Sequence, residues 1–189
     1  PLTLMLIGNH LRQQAASGQQ RRIAQALQNL QDHVFRFQIE MPQTAVHAHP
    51  SLPAEQTISL NAIIGLSEEA LPNDNVRRAF LALRLFPPKP NSFSEMAAAA
   101  VMDQPLEILD ELVDGGLIET MGQERCQIHQ AISDYLTVQK IQDTAAHHFV
   151  AYYDEWLSTR KDNSPAIELE IDNLLTAVAL AAQTNLSQP

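Results

Sequence analysis

The chain has 189 residues, enough for one ordinary domain or two small ones. Its formal charge of −10 opposes binding to nucleic-acid phosphates unless the few basic side chains cluster, and its single cysteine, Cys126, excludes an internal disulfide. A hydrophobic content of 45% with only six glycines favours helix over sheet, and no apolar run is long enough to span a bilayer. We therefore expect a mainly α fold and a cytoplasmic protein.

The first part of the chain predicts two amphipathic helices and a linker. Apolar residues recur at helical spacing over 1–16, with Gly18 as the expected stop, and again over 19–33. Prolines interrupt the pattern over 35–53. We assign residues 1–56 to the remnant of a helical subdomain and this linker. The opening letters PLTLMLIGNHL have neither an initiator Met nor the basic start of a signal peptide, so we expect the chain to belong to a longer protein.

Residues 57–142 predict a winged-helix domain. Two helices are expected over 57–71 and 74–86, before the letters FPPKPNS, which exclude regular structure. Two short helices follow, and then LIET, MGQE and RCQIH predict a strand, a turn and a strand ahead of a helix over 131–141. The order of helix, helix, hairpin and helix is typical of a winged helix.

The two short helices have recognisable start signals. Ser92 and Glu95 stand at capping-box spacing and predict the start of the first one. Asp103 or Gln104 is expected to cap the second, with Pro105 in its first turn.

Residues 143–189 predict a helical hairpin. Its helices cover 144–160 and 165–183, and the letters KDNSP separate them. The first helix carries four aromatic side chains at helical spacing: Phe149, Tyr152, Tyr153 and Trp156. We expect these to pack against the last helix, with an exposed partner-binding face as the alternative.

The helix that would read DNA in a winged helix is acidic here. Its letters are QPLEILDELVDGG, and a base-reading helix needs Arg, Lys, Asn or Gln on its exposed face. The positions expected to be exposed are instead Glu107, Asp110, Glu111 and Asp114. Four carboxylates would oppose a phosphate-lined groove, so we expect no nucleic-acid partner.

Segments of the chain, taken in order, resemble NB-ARC ATPases, which belong to the STAND class of signalling NTPases. PLTLMLIGNHL resembles the GLPLAL helix start of that family, and AFLALRLFPPKPNSFSEMAAAAVMDQP followed by LEILDELVDGGLIE resembles its winged helix. QIHQAISDYL resembles the segment with the family's Met-His-Asp motif. HHFVAYYDEWL and ELEIDNLLTAVALA resemble the helices that lead into tetratricopeptide repeats in bacterial members. Only the linker over 35–53 lies outside this ordered series.

The resemblance implies a regulatory role within a larger ATPase. In the family, an upstream P-loop domain binds ADP or ATP, and the helical subdomain and winged helix close over the nucleotide. Pro1 would line the adenine pocket, and His129 would contact the β-phosphate of ADP in the inactive state. Downstream helical repeats and a homo-oligomer of the activated parent are the other implied partners. Ile128 and Gln130 stand where the family motif has Met and Asp.

The position of His129 between a predicted strand and a predicted helix suits this contact chemically. An imidazole can donate a hydrogen bond to a phosphate oxygen, and a helix N-terminus at Gln130 favours an anion. The alternative is a histidine that packs or caps within the winged helix.

The chain contains no P-loop signature. A P-loop needs a Gly-Lys step before Ser or Thr, and the three lysines, Lys89, Lys140 and Lys161, follow Pro, Gln and Arg. We therefore expect no enzyme activity and no catalytic residue in this chain, and ADP or ATP only in the intact parent.

Other histidines and the cysteine predict no separate site. His47 and His49 have no cysteine or carboxylate close by to complete a zinc site, and the adjacent His147 and His148 point to different faces of one helix. We expect Cys126 to be a small core residue rather than a nucleophile, and we expect no metal.

Two other functions remain open from the sequence. One is a winged-helix transcription regulator, which the acidic helix disfavours. The other is a helical protein-interaction adaptor with no link to a nucleotide.

Overall fold

The computed structural model describes residues 2–16, 18–29, 60–139 and 143–186, and its side chains except those of 13, 143 and 184–186. The chain divides into two compact units, Pro1–Ala70 and Leu71–Pro189. Both described parts are mainly helical, which confirms the predicted fold class. Within the described residues, no helix is both long and apolar enough to cross a membrane.

The first unit contains three helices in its described part. Helix α1 covers Leu2–Ala15, α2 covers residues 20–29, and α3 covers Leu60–Glu69. α1 packs on α3, where Leu6, Ile63 and Ile64 are fully buried. Gly18 follows α1 at φ +66° and donates to the Ala15 carbonyl at 2.8 Å, so it ends the helix as the sequence predicts. The linker predicted over 35–53 lies outside the described residues.

The second unit begins with the winged-helix order of elements. Helix α4 covers Asp74–Ala82 and continues as a 3-10 turn over Leu83–Leu85. The remaining elements are β1 Phe93–Ser94, α5 Glu95–Met102, α6 Leu106–Asp114, β2 Glu119–Gly122, β3 Arg125–Gln127 and α7 Gln130–Thr137.

The three short strands form one antiparallel sheet in the order β1-β3-β2. The predicted hairpin is β2–β3, and its turn places Gln123 and Glu124 at φ +53° and +56°. β1 is not predicted from the sequence, because a strand of two residues is too short to show alternation. Phe93 of β1 pairs with Cys126 of β3, and both side chains are buried.

The N-caps of α5 and α6 lie one or two positions after the predicted ones. Ser94, not Ser92, caps α5, because its Oγ accepts from the Ala97 amide at 3.1 Å. Asp103 ends α5 in the left-handed conformation at φ 51° instead of starting α6. Pro105 occupies the N-cap position of α6.

The chain ends in the predicted helical hairpin. Helix α8 covers Asp143–Arg160 and α9 covers Ser164–Leu186, and the two pack along one another. Between them, Asn163 Oδ1 accepts from the Ala166 amide at 3.2 Å and so caps α9.

The aromatic stripe of α8 packs on the last helix only in part, because it also meets the winged helix. Phe149 contacts Phe86 of the winged helix, with ring centroids 5.0 Å apart, and α5 packs along α8. Tyr153 reaches the last helix by a hydrogen bond, which its hydroxyl donates to Glu170. The prediction assigned the whole stripe to a single partner. Neighbouring rings of this eighteen-residue helix instead contact two partners, the winged helix and the last helix.

Candidate functional site

His129 lies at the junction of β3 and α7, as the sequence predicts. The residue before it, Ile128, is fully buried, and its carbonyl accepts from the Lys89 amide at 2.9 Å. The carbonyl of His129 accepts from the amides of Ile132 and Ser133 at 2.9 and 3.0 Å. Hydrogen bonds therefore hold the backbone on both sides of the half-buried imidazole.

The imidazole of His129 is the N-cap of α7. Its backbone is extended at φ −67° and ψ 142°, and Nδ1 accepts from the Ala131 amide at 3.2 Å. A neutral ring that accepts at Nδ1 carries its proton on Nε2. The cap thus fixes the ring and leaves an Nε2–H donor for another partner. The capping alternative from the sequence is correct, and it is compatible with a ligand contact.

The polar side chains near His129 are themselves hydrogen-bonded. Gln130 donates from Nε2 to Asp134 Oδ1 at 2.8 Å, one helical turn further on. Lys89 Nζ lies 2.5 Å from Glu119 Oε2, and both side chains are about one-third exposed. The junction therefore contains one imidazole donor, and the side chain of Lys89, whose amide bonds to Ile128, is paired with a carboxylate.

Pro1, the other predicted nucleotide contact, lies outside the described residues. The closure of the helical subdomain over a nucleotide at His129 stays a prediction.

No family model, curated protein or solved structure matches this chain. The resemblance to NB-ARC ATPases therefore depends on the sequence segments quoted above, and the function it implies is a proposal.

A small cleft that the sequence does not predict lies between α1 and α2. Its volume is about 180 Å³, below the roughly 300–1,000 Å³ of pockets that enclose drug-sized ligands. It is lined by His10, Gln14, Arg22, Gln25, Ala26 and Asn29. Burial lowers the pKa of His10, whose Nδ1 has no hydrogen-bond partner among the described residues. Only the pairing of two helices brings His10 and Arg22 together, so spacing along the chain does not reveal the cleft.

The outer face of α6 is acidic, as predicted. Glu107, Asp110 and Asp114 are exposed, whereas Glu111 is half-buried, which corrects its predicted exposure. The difference follows from the packing of α4 and α5 on α6, which covers more than the apolar stripe. The three exposed carboxylates still oppose a phosphate backbone.

The remaining candidates behave as small core or surface groups. Cys126 is buried, and burial together with the charge of Glu95 raises its pKa to about 11, so the thiol is a poor nucleophile at neutral pH. His147 is exposed and His148 half-buried, while His47 and His49 lie outside the described residues. Across the parts of the chain that the structure describes, no three His, Cys, Asp or Glu side chains converge as a metal site requires.

Proposed function

We propose that this chain is the regulatory segment of a STAND-class, NB-ARC-like signalling ATPase. In the intact parent, the winged helix closes over ADP or ATP bound by an upstream P-loop domain, and His129 donates from Nε2 to a nucleotide phosphate. Pro1 lines the adenine pocket, and the C-terminal hairpin leads into helical repeats. The resemblance of the ordered segments supports this proposal.

The observation that carries the proposal is the orientation of His129 by its own cap. A ligand shifts the equilibrium between two forms of a protein only if it binds them with different affinities. A contact that contributes to this difference must therefore be held in place in one of the two forms. The bond from the Ala131 amide to Nδ1 provides that rigidity and makes the opposite nitrogen the donor. The N-terminus of α7 adds a partial positive charge beside it.

Two substitutions separate the capping role of His129 from a phosphate contact. Asn is a good N-cap residue, and Asn73 caps α4 in this chain by accepting from the Asn75 and Val76 amides at 2.9 and 3.1 Å. His129→Asn should keep α7 stable but remove the imidazole, whereas His129→Ala removes both. In the full-length parent, we expect both variants to weaken ADP binding by roughly tenfold and to raise basal activity.

The measurements are ADP affinity by titration calorimetry and basal ATPase activity of the parent. If His129→Asn binds ADP like the wild type while His129→Ala does not, the histidine is a structural cap only. A parent reading frame with no Gly-Lys-[Ser/Thr] step upstream would exclude the nucleotide role itself.

A helical interaction adaptor is the second candidate, and one observation favours it. Helix α9 presents an exposed apolar stripe beside its packed face, formed by Ile171, Leu175 and Val178. Exposed stripes of this kind commonly mark protein contacts. The transcription-regulator alternative finds no such support, and tight binding of any DNA duplex in a low-salt gel shift would revive it.

A further inference from the structure

A polar network joins the central strand of the sheet to the last helix. Arg125 Nη1 lies 2.5 Å from Glu170 Oε1, while its Nε and Nη2 donate to Ser92 Oγ and to the Ser92 carbonyl, both at 2.9 Å. The Tyr153 hydroxyl donates to Glu170 Oε2 at 2.9 Å. Asn173 Nδ2 donates to the same Oε2 at 2.6 Å and to the Ser92 carbonyl at 2.9 Å. β3 and both helices of the hairpin thus meet at one carboxylate, and Ser92, just before β1, joins the network through Arg125 and Asn173.

This network is withdrawn from water. Tyr153, Glu170 and Asn173 are 1%, 3% and 2% exposed, and the side chain of Arg125 is 13% exposed. Burial and the adjacent Glu170 carboxylate raise the pKa of the Tyr153 hydroxyl, which keeps it a donor. A buried ion pair contributes little net stability, because its attraction is offset by the cost of removing both charges from water. The ion pair does specify one position of α9 against the sheet, since each Glu170 oxygen has its own partners.

The two helices of the hairpin are held to the winged helix by different means. α8 is attached through rings, because Phe149 is fully buried against Phe86, which in turn stacks on Phe93 at 4.1 Å. α9 packs mainly on α8, and two of its side chains hydrogen-bond to the winged helix: Glu170 accepts from Arg125, and Asn173 donates to the Ser92 carbonyl. Opening of α9 would return both charges to water, so the gain in hydration offsets much of the lost pairing.

We propose that α9 is a releasable helix and that the Arg125–Glu170 pair is its latch, while α8 stays docked through its aromatic rings. The latch acts in all-or-none fashion, because moving the Glu170 carboxylate removes the bonds from Arg125, Tyr153 and Asn173 together. This device goes beyond the proposed function and requires no nucleotide.

Hydrogen exchange of the full 189-residue chain, read by mass spectrometry, tests the latch. In the wild type, amides of α9 should exchange faster than those of α5. Glu170→Gln should accelerate exchange over α9 by roughly tenfold, because it weakens bonds to a charged group, with α5 and α8 changed far less. Tyr153→Phe removes one bond with little loss of packing and should accelerate α9 by a smaller factor.

Glu119→Gln is the matched control, since the Lys89–Glu119 pair has the same 2.5 Å separation but is one-third exposed and does not involve α9. It should leave α9 exchange unchanged. The latch is excluded if α9 and α5 exchange at one common rate in the wild type, or if the variants accelerate both helices equally. Should Glu170→Gln fail to fold, Tyr153→Phe decides the question, and unchanged α9 exchange in that variant overturns the proposal.

Discussion

At the scale of single residues, burial changes the chemistry of groups that look reactive in the sequence. Cys126 is paired with Phe93 across two strands and is 1% exposed. His129 lies three residues further on, but the thiol lies in the core, as predicted, and the imidazole bonds to its own helix. The prediction that Cys126 is a small core residue is therefore confirmed.

The pH dependence of Cys126 follows from its burial. Its pKa rises from 9.0 to about 11 in the folded chain, so between these values the unfolded thiol loses its proton first and stability falls as pH rises. At pH 8, native Cys126 should react with iodoacetamide about 100-fold more slowly than in denatured chain, because the thiolate fraction is lower by that factor. Timed alkylation followed by mass spectrometry measures this ratio. Equal rates before and after denaturation would contradict the burial.

His10 predicts a second pH effect, of the opposite sign. Burial lowers its pKa, so the unfolded state binds a proton more readily as pH falls through the ordinary value of about 6.5. Acidification from pH 7.5 to 5 should therefore loosen α1, and His10→Leu should reduce this sensitivity. Hydrogen exchange of α1 at the two pH values is the measurement, with exchange compared after correction for the intrinsic rate. An equal pH response in both proteins would exclude His10 as its origin.

At the scale of elements, side-chain caps decide where the short helices begin. Helices of eight or nine residues, such as α4, α5 and α7, are too short to be stable by propensity alone. Asn73, Ser94 and His129 each satisfy amides of the first turn. Histidine is an uncommon cap, which is why its position at a helix start invites a functional explanation.

Asn73 offers a direct measure of what a cap contributes in this chain. Asn73→Ala removes the acceptor for two amides and should lower the free energy of unfolding by about 1 kcal/mol, whereas Asn73→Ser should be close to neutral. Urea unfolding followed by circular dichroism compares the two variants. If Asn73→Ala and Asn73→Ser lower the free energy of unfolding equally, the side chain of residue 73 does not stabilise α4 as a cap.

At the scale of the whole molecule, the aromatic cluster is what unites the winged helix and the hairpin. Its four side chains are at most 1% exposed, and each ring contacts the next in the order Phe93, Phe86, Phe149 and Tyr153. Trp156, one turn beyond, is only half-buried, and the Arg160 guanidinium lies over its ring at 5.2 Å from the centroid. The stripe therefore changes from core to surface along α8.

Removal of one ring at a time should separate the buried part of the stripe from its surface part. Phe149→Ala is expected to lower the free energy of unfolding of the second unit by about 3–5 kcal/mol, and Trp156→Ala by much less. Chemical unfolding of both variants provides the comparison. Similar losses would place Trp156 in the core and contradict the packing.

The sequence by itself determined the mainly helical class, the order of the winged-helix elements, the break before α9 and the acidic face of α6. These features depend on local periodicity, proline and glycine positions and charge, which the chain carries wherever its elements lie. It also located His129 at the junction of a strand and a helix. Only the tertiary structure decided the strand β1, the choice of Ser94 over Ser92 as a cap, the side of α8 that meets the winged helix, and the burial of Arg125 with Glu170. Each of these depends on contacts between residues far apart in the chain, whose geometry no local pattern contains.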